Sequence, residues 1–132
     1  MNYFLVELTI FCTVSLAASL EVVVDPAINA TINEDVLLGC LFTHTVQLDL
    51  RYIVIEWNHR VGDDEKAVCL FDFGDYESCR SGSSLSINEI SKANASLLLK
   101  NVTIHDIGSY SCTVTILSDK ATGRVTLAVT GE

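Results

Sequence analysis

The side chains with chemistry to offer in this 132-residue chain are five cysteines, three histidines, scattered carboxylates and three Asn-x-Ser/Thr triplets. Cys12 lies in an apolar N-terminal run and leaves with it if that run is a leader, so Cys40, Cys69, Cys79 and Cys112 remain. Four thiols can pair in three ways, and disulfides at this density require an oxidising compartment. The spacing argues against zinc, because it contains no Cys-x-x-Cys and no neighbouring histidine pair. His44, His59 and His105 fall in different loops and strand ends, no serine or cysteine nucleophile carries a motif, and there is no glycine-rich phosphate loop. Asp72, Asp75 and Glu77 gather near a turn. Calcium, however, needs six or more oxygens from a shaped loop, and such a run is more often a solvated hairpin. The chain is therefore expected not to be an enzyme and to use no metal, no cofactor and no small-molecule substrate.

Elements must hold these residues, and 94–112 sets their pattern. Leu97, Leu99 and Val102 alternate as the buried side of a strand. A turn comes next at His105-Asp106-Ile107-Gly108. A second strand over 109–116 then puts Tyr110 and Cys112 on one face, since strand side chains alternate with period two. Upstream, 35–42 reads as a strand carrying Cys40 inward, and 51–60 as one with Ile53, Ile55 and Trp57 on the core face and Val54, Glu56 and Asn58 on the other. Further strands are predicted over 21–25, 66–73, 78–80, 85–90 and 120–130. Pro26 demotes the segment after the first of these strands to a sheet edge, and turn formers fill 62–65 and 74–77. The fold class is all-β.

Residues 1–19 read as a signal peptide ending in Ala17-Ala18-Ser19. No Lys or Arg precedes its apolar run and Glu7 interrupts it, so an uncleaved anchor is the competing reading. Residues 20–130 make one domain, enough for a single core. No second apolar stretch of about 18 residues occurs later in the chain. The chain is thus expected to be secreted, or to sit on the external side of the plasma membrane through an anchor outside this sequence. A formal charge of −9 with eight scattered basic residues argues against nucleic acid and anionic membrane surfaces; it keeps a secreted domain soluble.

Cys40, Trp57 and Asp106-x-Gly108-x-Tyr110-x-Cys112, in this order, resemble the signature of immunoglobulin domains. The resemblance implies a Cys40–Cys112 bridge, leaving Cys69 with Cys79, and a Tyr110 hydroxyl bonded back to the chain near Asp106. Between Trp57 and Asp106 there is room for the extra strands of the variable type, a Greek-key sandwich of about nine antiparallel strands. From Lys66 onward the chain resembles the membrane-distal V-set domains of T-cell costimulatory and coinhibitory ligands. These form the butyrophilin-like family that includes the V-set domain-containing T-cell activation inhibitor. Asn94-Ala95-Ser96-Leu97, Leu99-Lys100-Asn101-Val102, Val54-Ile55-Glu56-Trp57 and the Val68 to Gly74 stretch carry it. Ala121-Thr122-Gly123-Arg124 departs from the Phe-Gly-x-Gly of antigen receptors. Gly82 or Ser83 stands where the family often has Arg, leaving Asp106 to pair with Arg80 or with nothing. The Cys69/Cys79 pair is an addition to the family pattern.

Asn29, Asn94 and Asn101 head N-glycosylation triplets. Glycans must face solvent, and Asn94 and Asn101 bracket the strand at 97–102. If occupied, they shield the sheet containing that strand and leave the opposite one bare. On the bare face alternation sets Glu56, Asn58, Ser111 and Thr113 outward. If Val68 and Leu70 point inward, Phe71 and Phe73 point out as an apolar centre with a charged rim. A register one residue off buries both rings and exposes Leu70 and Asp72. As the resemblance implies, the expected partner is a protein receptor of the costimulatory class on T cells, with T-cell activation as the process modulated. Homophilic adhesion, with weak self-association, and a variable-type innate immune receptor are the alternatives.

Overall fold

The computed structural model describes residues 20–45, 47–73 and 76–131, and the expected leader lies outside them. Eleven strands and one turn of helix run in order: β1 (Leu20–Val24), β2 (Ala27–Thr31), β3 (Val36–Leu38), β4 (Cys40–His44), β5 (Ile53–Val61), β6 (Asp64–Asp72), β7 (Tyr76–Cys79), β8 (Ser83–Ser84), α1 (Ile87–Ile90), β9 (Leu97–Leu99), β10 (Gly108–Ile116) and β11 (Asp119–Thr130). One layer is a six-stranded sheet in the order β2-β11-β10-β5-β6-β7. The facing layer holds β1 on β4 and β3-β9-β8, with a Leu41–Asn94 bridge continuing the pairing past β9.

Pro26 does more than mark an edge. β1 pairs antiparallel with β4 in one layer, while β2 pairs parallel with β11 in the other. A residue with no N–H cannot continue a ladder, so the chain changes sheets there, and the Pro26 carbonyl accepts from the Thr126 N–H at 2.9 Å. The strand expected over 85–90 is also different. Only Ser83–Ser84 pairs, and α1 comes directly after. Ser86 caps that turn by accepting the Glu89 N–H at 3.3 Å. Leu85 and Ile90 go into the core at either end while Ile87 stays exposed. Helical local bonds thus win over a period-two pattern that was never complete.

Between the layers, Trp57, Tyr110, Phe42 and Phe71 are the largest fully buried side chains. Each contributes about 1.5–3 kcal/mol by leaving water. Trp57 Nε1 donates to the Ala95 carbonyl at 2.7 Å, so its one polar atom is satisfied. Cys40 and Cys112 bridge the layers beside it, with Cα atoms 6.6 Å apart.

Candidate interaction face

The outer surface of the six-stranded sheet is built by alternation along its strands, broken at one bulge in β6. Along β10 the burial of Tyr110, Cys112, Val114 and Ile116 leaves Ser109, Ser111, Thr113 and Thr115 on the other side. Cross-strand register then lays out rows. One runs Thr122, Thr113, Glu56, Leu70, Ser78, and the next runs Lys120, Thr115, Val54, Asp72, Tyr76. The Thr113 and Thr122 hydroxyls lie 2.9 Å apart, and Asn58 Nδ2 donates to Glu56 Oε2 at 3.3 Å. Ser111 belongs to this face by parity yet is 6% exposed. Its register neighbours are the longer Arg124 and Asn58, so it contributes little contact surface.

The expected pair of outward phenylalanines needs correction. Trp57 faces Cys69, but its neighbour Asn58 faces Ala67, so Val68 is an extra residue in β6. Such a bulge places two consecutive residues toward the same layer and reverses the alternation beyond it. Val68 and Cys69 are both buried, Phe71 joins them in the core at 1% exposed, and Leu70 and Asp72 turn outward. Phe73 escapes this parity. It leaves the strand at a φ of 54°, its N–H donates to the Ile53 carbonyl at 3.0 Å, and it is 48% exposed.

The resulting apolar centre comprises Val54 and Leu70, half-buried, and Tyr76, exposed, while Phe73 is exposed beyond the end of β6. Glu56 and Lys120, from the same two rows, rim it, both exposed, whereas Glu77 faces the buried Phe71 and has the opposite parity. Asp72 lies between Val54 and Tyr76, and its Oδ1 is buried with no hydrogen-bond partner among the described residues. Tyr76 was missed in the sequence because it sits in a turn-like run. The signal lay in the cysteines: Cys69 and Cys79 are directly opposed, with Cα atoms 4.0 Å apart. Counting inward from them pairs Asp72 with Tyr76.

At the far end of β10 a polar corner fixes the strand. The Tyr110 hydroxyl donates to the Asp106 carbonyl. The Asp106 carboxylate accepts the Thr103 N–H at 2.8 Å and pairs with Arg80 at 3.4 Å. His59 stacks on Tyr110 with ring centroids 4.2 Å apart, and its Nε2 donates to the Ile107 carbonyl at 2.9 Å. Burial pushes the Tyr110 phenol up to about 12, so it stays a donor at any physiological pH. Burial also holds His59 below the ordinary imidazole value, which keeps it neutral, with Nε2 as the protonated nitrogen. Gly108, at a φ of 143°, lets His59 approach, because a Cβ there would lie 2.7 Å from His59 Nε2 and from the Arg60 carbonyl oxygen.

The glycosylation triplets divide between layers. Asn29 is exposed on β2, opposite Ala128, at the edge of the six-stranded sheet farthest from Tyr76. Asn94 is half-buried in the facing layer and Asn101 is exposed just past β9. Among the described residues no three metal-capable side chains gather, and no helix is long and apolar enough to cross a membrane.

Residues 23–130 match the family model of the immunoglobulin V-set domain. The human protein natural cytotoxicity triggering receptor 3 ligand 1 is 30% identical over 100 residues, which are 74% of this chain and 22% of that protein. Human myelin protein zero-like protein 3 is 25% identical over 109 residues, 79% of this chain and 46% of that one. The chain thus spans less than half the length of either curated relative. The crystal structure of the human B7-H4 IgV-like domain superposes with a TM-score of 0.69 at 28% identity, covering 87% of this chain and all of that one. Murine CRIg superposes at 0.66 over 85% of this chain and 98% of its own, and at 18% identity this is a likeness of fold alone. A disulfide spanning two layers beside a buried tryptophan, a tyrosine corner and the match over 23–130 meet in one chain, which belongs to the immunoglobulin V-set family, a class of extracellular, non-enzymatic recognition domains.

Proposed function

We propose that this domain is the recognition module of a secreted or cell-surface immune ligand, and that it binds a costimulatory-class receptor on T cells through the outer face of its six-stranded sheet. One observation carries the reading. Val54, Leu70 and Tyr76 form an apolar centre inside a rim of Glu56 and Lys120, with Phe73 exposed beyond the end of β6, the usual anatomy of a protein interface. The likeness to the B7-H4 domain and to a protein named as a ligand of a cytotoxicity receptor supports the ligand role. Affinity comes from the apolar and aromatic centre.

The chain, tetramerised through a C-terminal tag, is expected to stain a T-cell subset. A Leu70→Asp, Tyr76→Ala variant should lose that staining through a loss of about 2 kcal/mol or more of binding. Thr126→Asp, at the far corner, should keep it. Staining that survives the double variant places the site elsewhere, and staining confined to cells displaying the chain itself makes it an adhesion domain.

A further inference from the structure

The facing layer carries an apolar surface of its own. Val23, Leu37 and Leu41 are 63%, 56% and 53% exposed, and Leu98 is half-buried beside them. They fall into two rows. Val23 faces Leu41, which bridges to Asn94, and Leu37 faces Leu98, which faces Ser84. Where the rows meet α1, a cleft of about 290 Å³ opens, lined by Leu37, Leu85, Glu89, Asn94 and Leu98 among others. Single exposed leucines need no explanation, but a contiguous apolar face needs a cover.

Asn94 is the one asparagine of the three triplets that stands in these rows. Its Oδ1 accepts from the Ser96 N–H at 3.1 Å and lies 2.5 Å from the Ser96 hydroxyl. Its Nδ2 donates to Glu89 Oε1 at 3.1 Å. That nitrogen has two hydrogens, so replacing one by a sugar leaves the Glu89 bond in place. The other two triplets lie off the rows, Asn29 on the opposite sheet and Asn101 beyond the end of β9.

We propose that Asn94 is N-glycosylated and that the first sugars of its glycan lie in this cleft and over Leu37 and Leu41 as their cover. In the transfer, the Nδ2–C1 bond forms at the anomeric carbon of an oligosaccharide and the bond from C1 to a polyprenyl diphosphate donor breaks. The diphosphate leaves and the amide gives one proton to solvent. An N-acetylglucosamine ring suits the surface because its C–H face and acetyl methyl meet the leucines while its hydroxyls reach Ser84, Ser86 and water. A protein partner would have to close over the same asparagine, which is why the sugar is the occupant argued here. The inference rests on the secretory passage assumed in the proposed function.

The test uses the full chain made in mammalian cells, with Asn29→Gln and Asn101→Gln so that Asn94 is the sole acceptor, alongside the unaltered chain. Peptide mass mapping reads occupancy. A peptide amidase then removes the glycan from the native protein, with hydrophobic-dye fluorescence and sedimentation measured before and after. A several-fold rise in dye signal, with a shift toward dimers or larger species, is expected. A parallel Leu37→Ser, Leu41→Ser chain acquires the same aspartate at position 94 and should show neither change. Unchanged dye signal and sedimentation after removal overturn the cover. An empty Asn94 beside an occupied Asn29 or Asn101 overturns the site alone, whereas three empty acceptors overturn the secretory passage with it.

Discussion

At the residue scale the fold depends on a neutral imidazole lying against a phenol. His59 stacks on Tyr110 and donates to the Ile107 carbonyl, while burial holds its pKa below the ordinary value of 6.5. Proton counting gives the sign of the consequence. Between the ordinary value and the lowered folded one, the unfolded chain binds a proton that the folded chain does not. Stability therefore rises with pH across that window. The His59 contribution is complete above about 6.5 and is lost as pH falls toward the folded value. Denaturant midpoints measured from pH 7.5 down to 5 should fall for the wild-type chain. His59→Gln should start lower but fall less steeply over the same interval. Equal slopes would mean that His59 takes up its proton equally in the folded and unfolded chains, so that burial does not shift it.

At the element scale, what the sequence made legible and what it hid separate cleanly along β5, β6 and β10. Tyr110 and Cys112 could be assigned to the core because the alternation along β10 is unbroken and leaves one answer, and Cys40 and Trp57 follow from the motif they complete. In β6 both parities are apolar: Val68 and Leu70 on one side, Cys69 and Phe71 on the other. Sequence alone cannot choose between them, and a bulge opposite Trp57 and Asn58 decides the matter through cross-strand register. At α1 a cue was present and outweighed by apolar residues, since Ser86 with Glu89 three positions later is a helix-start signal. The Cys69–Cys79 bridge bears on the same edge. It ties β7, the last strand of the sheet, to β6 across a sequence separation of 10, and a loop that short stabilises by about 2–3 kcal/mol. A Cys69→Ser, Cys79→Ser chain should still fold around Cys40–Cys112 but lose about that much stability. Hydrogen exchange should quicken most in 76–79. Global unfolding would instead make the edge bridge indispensable to the core.

At the scale of the whole molecule, the two layers are joined by the core, the Cys40–Cys112 bridge and the first strand run, which belongs to both. β1 completes one layer on β4, and after Pro26 β2 completes the other on β11. For that crossing β1 must pass close over β11, and Gly123 is where it passes. A Cβ at Gly123 would lie 2.7 Å from Val24 Cγ1 and 3.0 Å from Val22 Cγ1. Both neighbours are β-branched and stiff about χ1, so they cannot simply swing aside; the strand itself must lift. Gly123→Val should therefore cost about 1–3 kcal/mol, as overpacking does, and the loss should be localised. Amides of 20–24 are expected to exchange fast while β5 and β10 stay protected. Lifting β1 also uncovers the edge of β4, whose Leu41 belongs to the apolar face beside Asn94. An open strand edge next to exposed leucines invites pairing with another chain, so the variant should self-associate with rising concentration in sedimentation experiments. If 20–24 kept their protection and the variant stayed monomeric, the first strand would not be the stitch between the layers, and the core and central disulfide alone would hold them together.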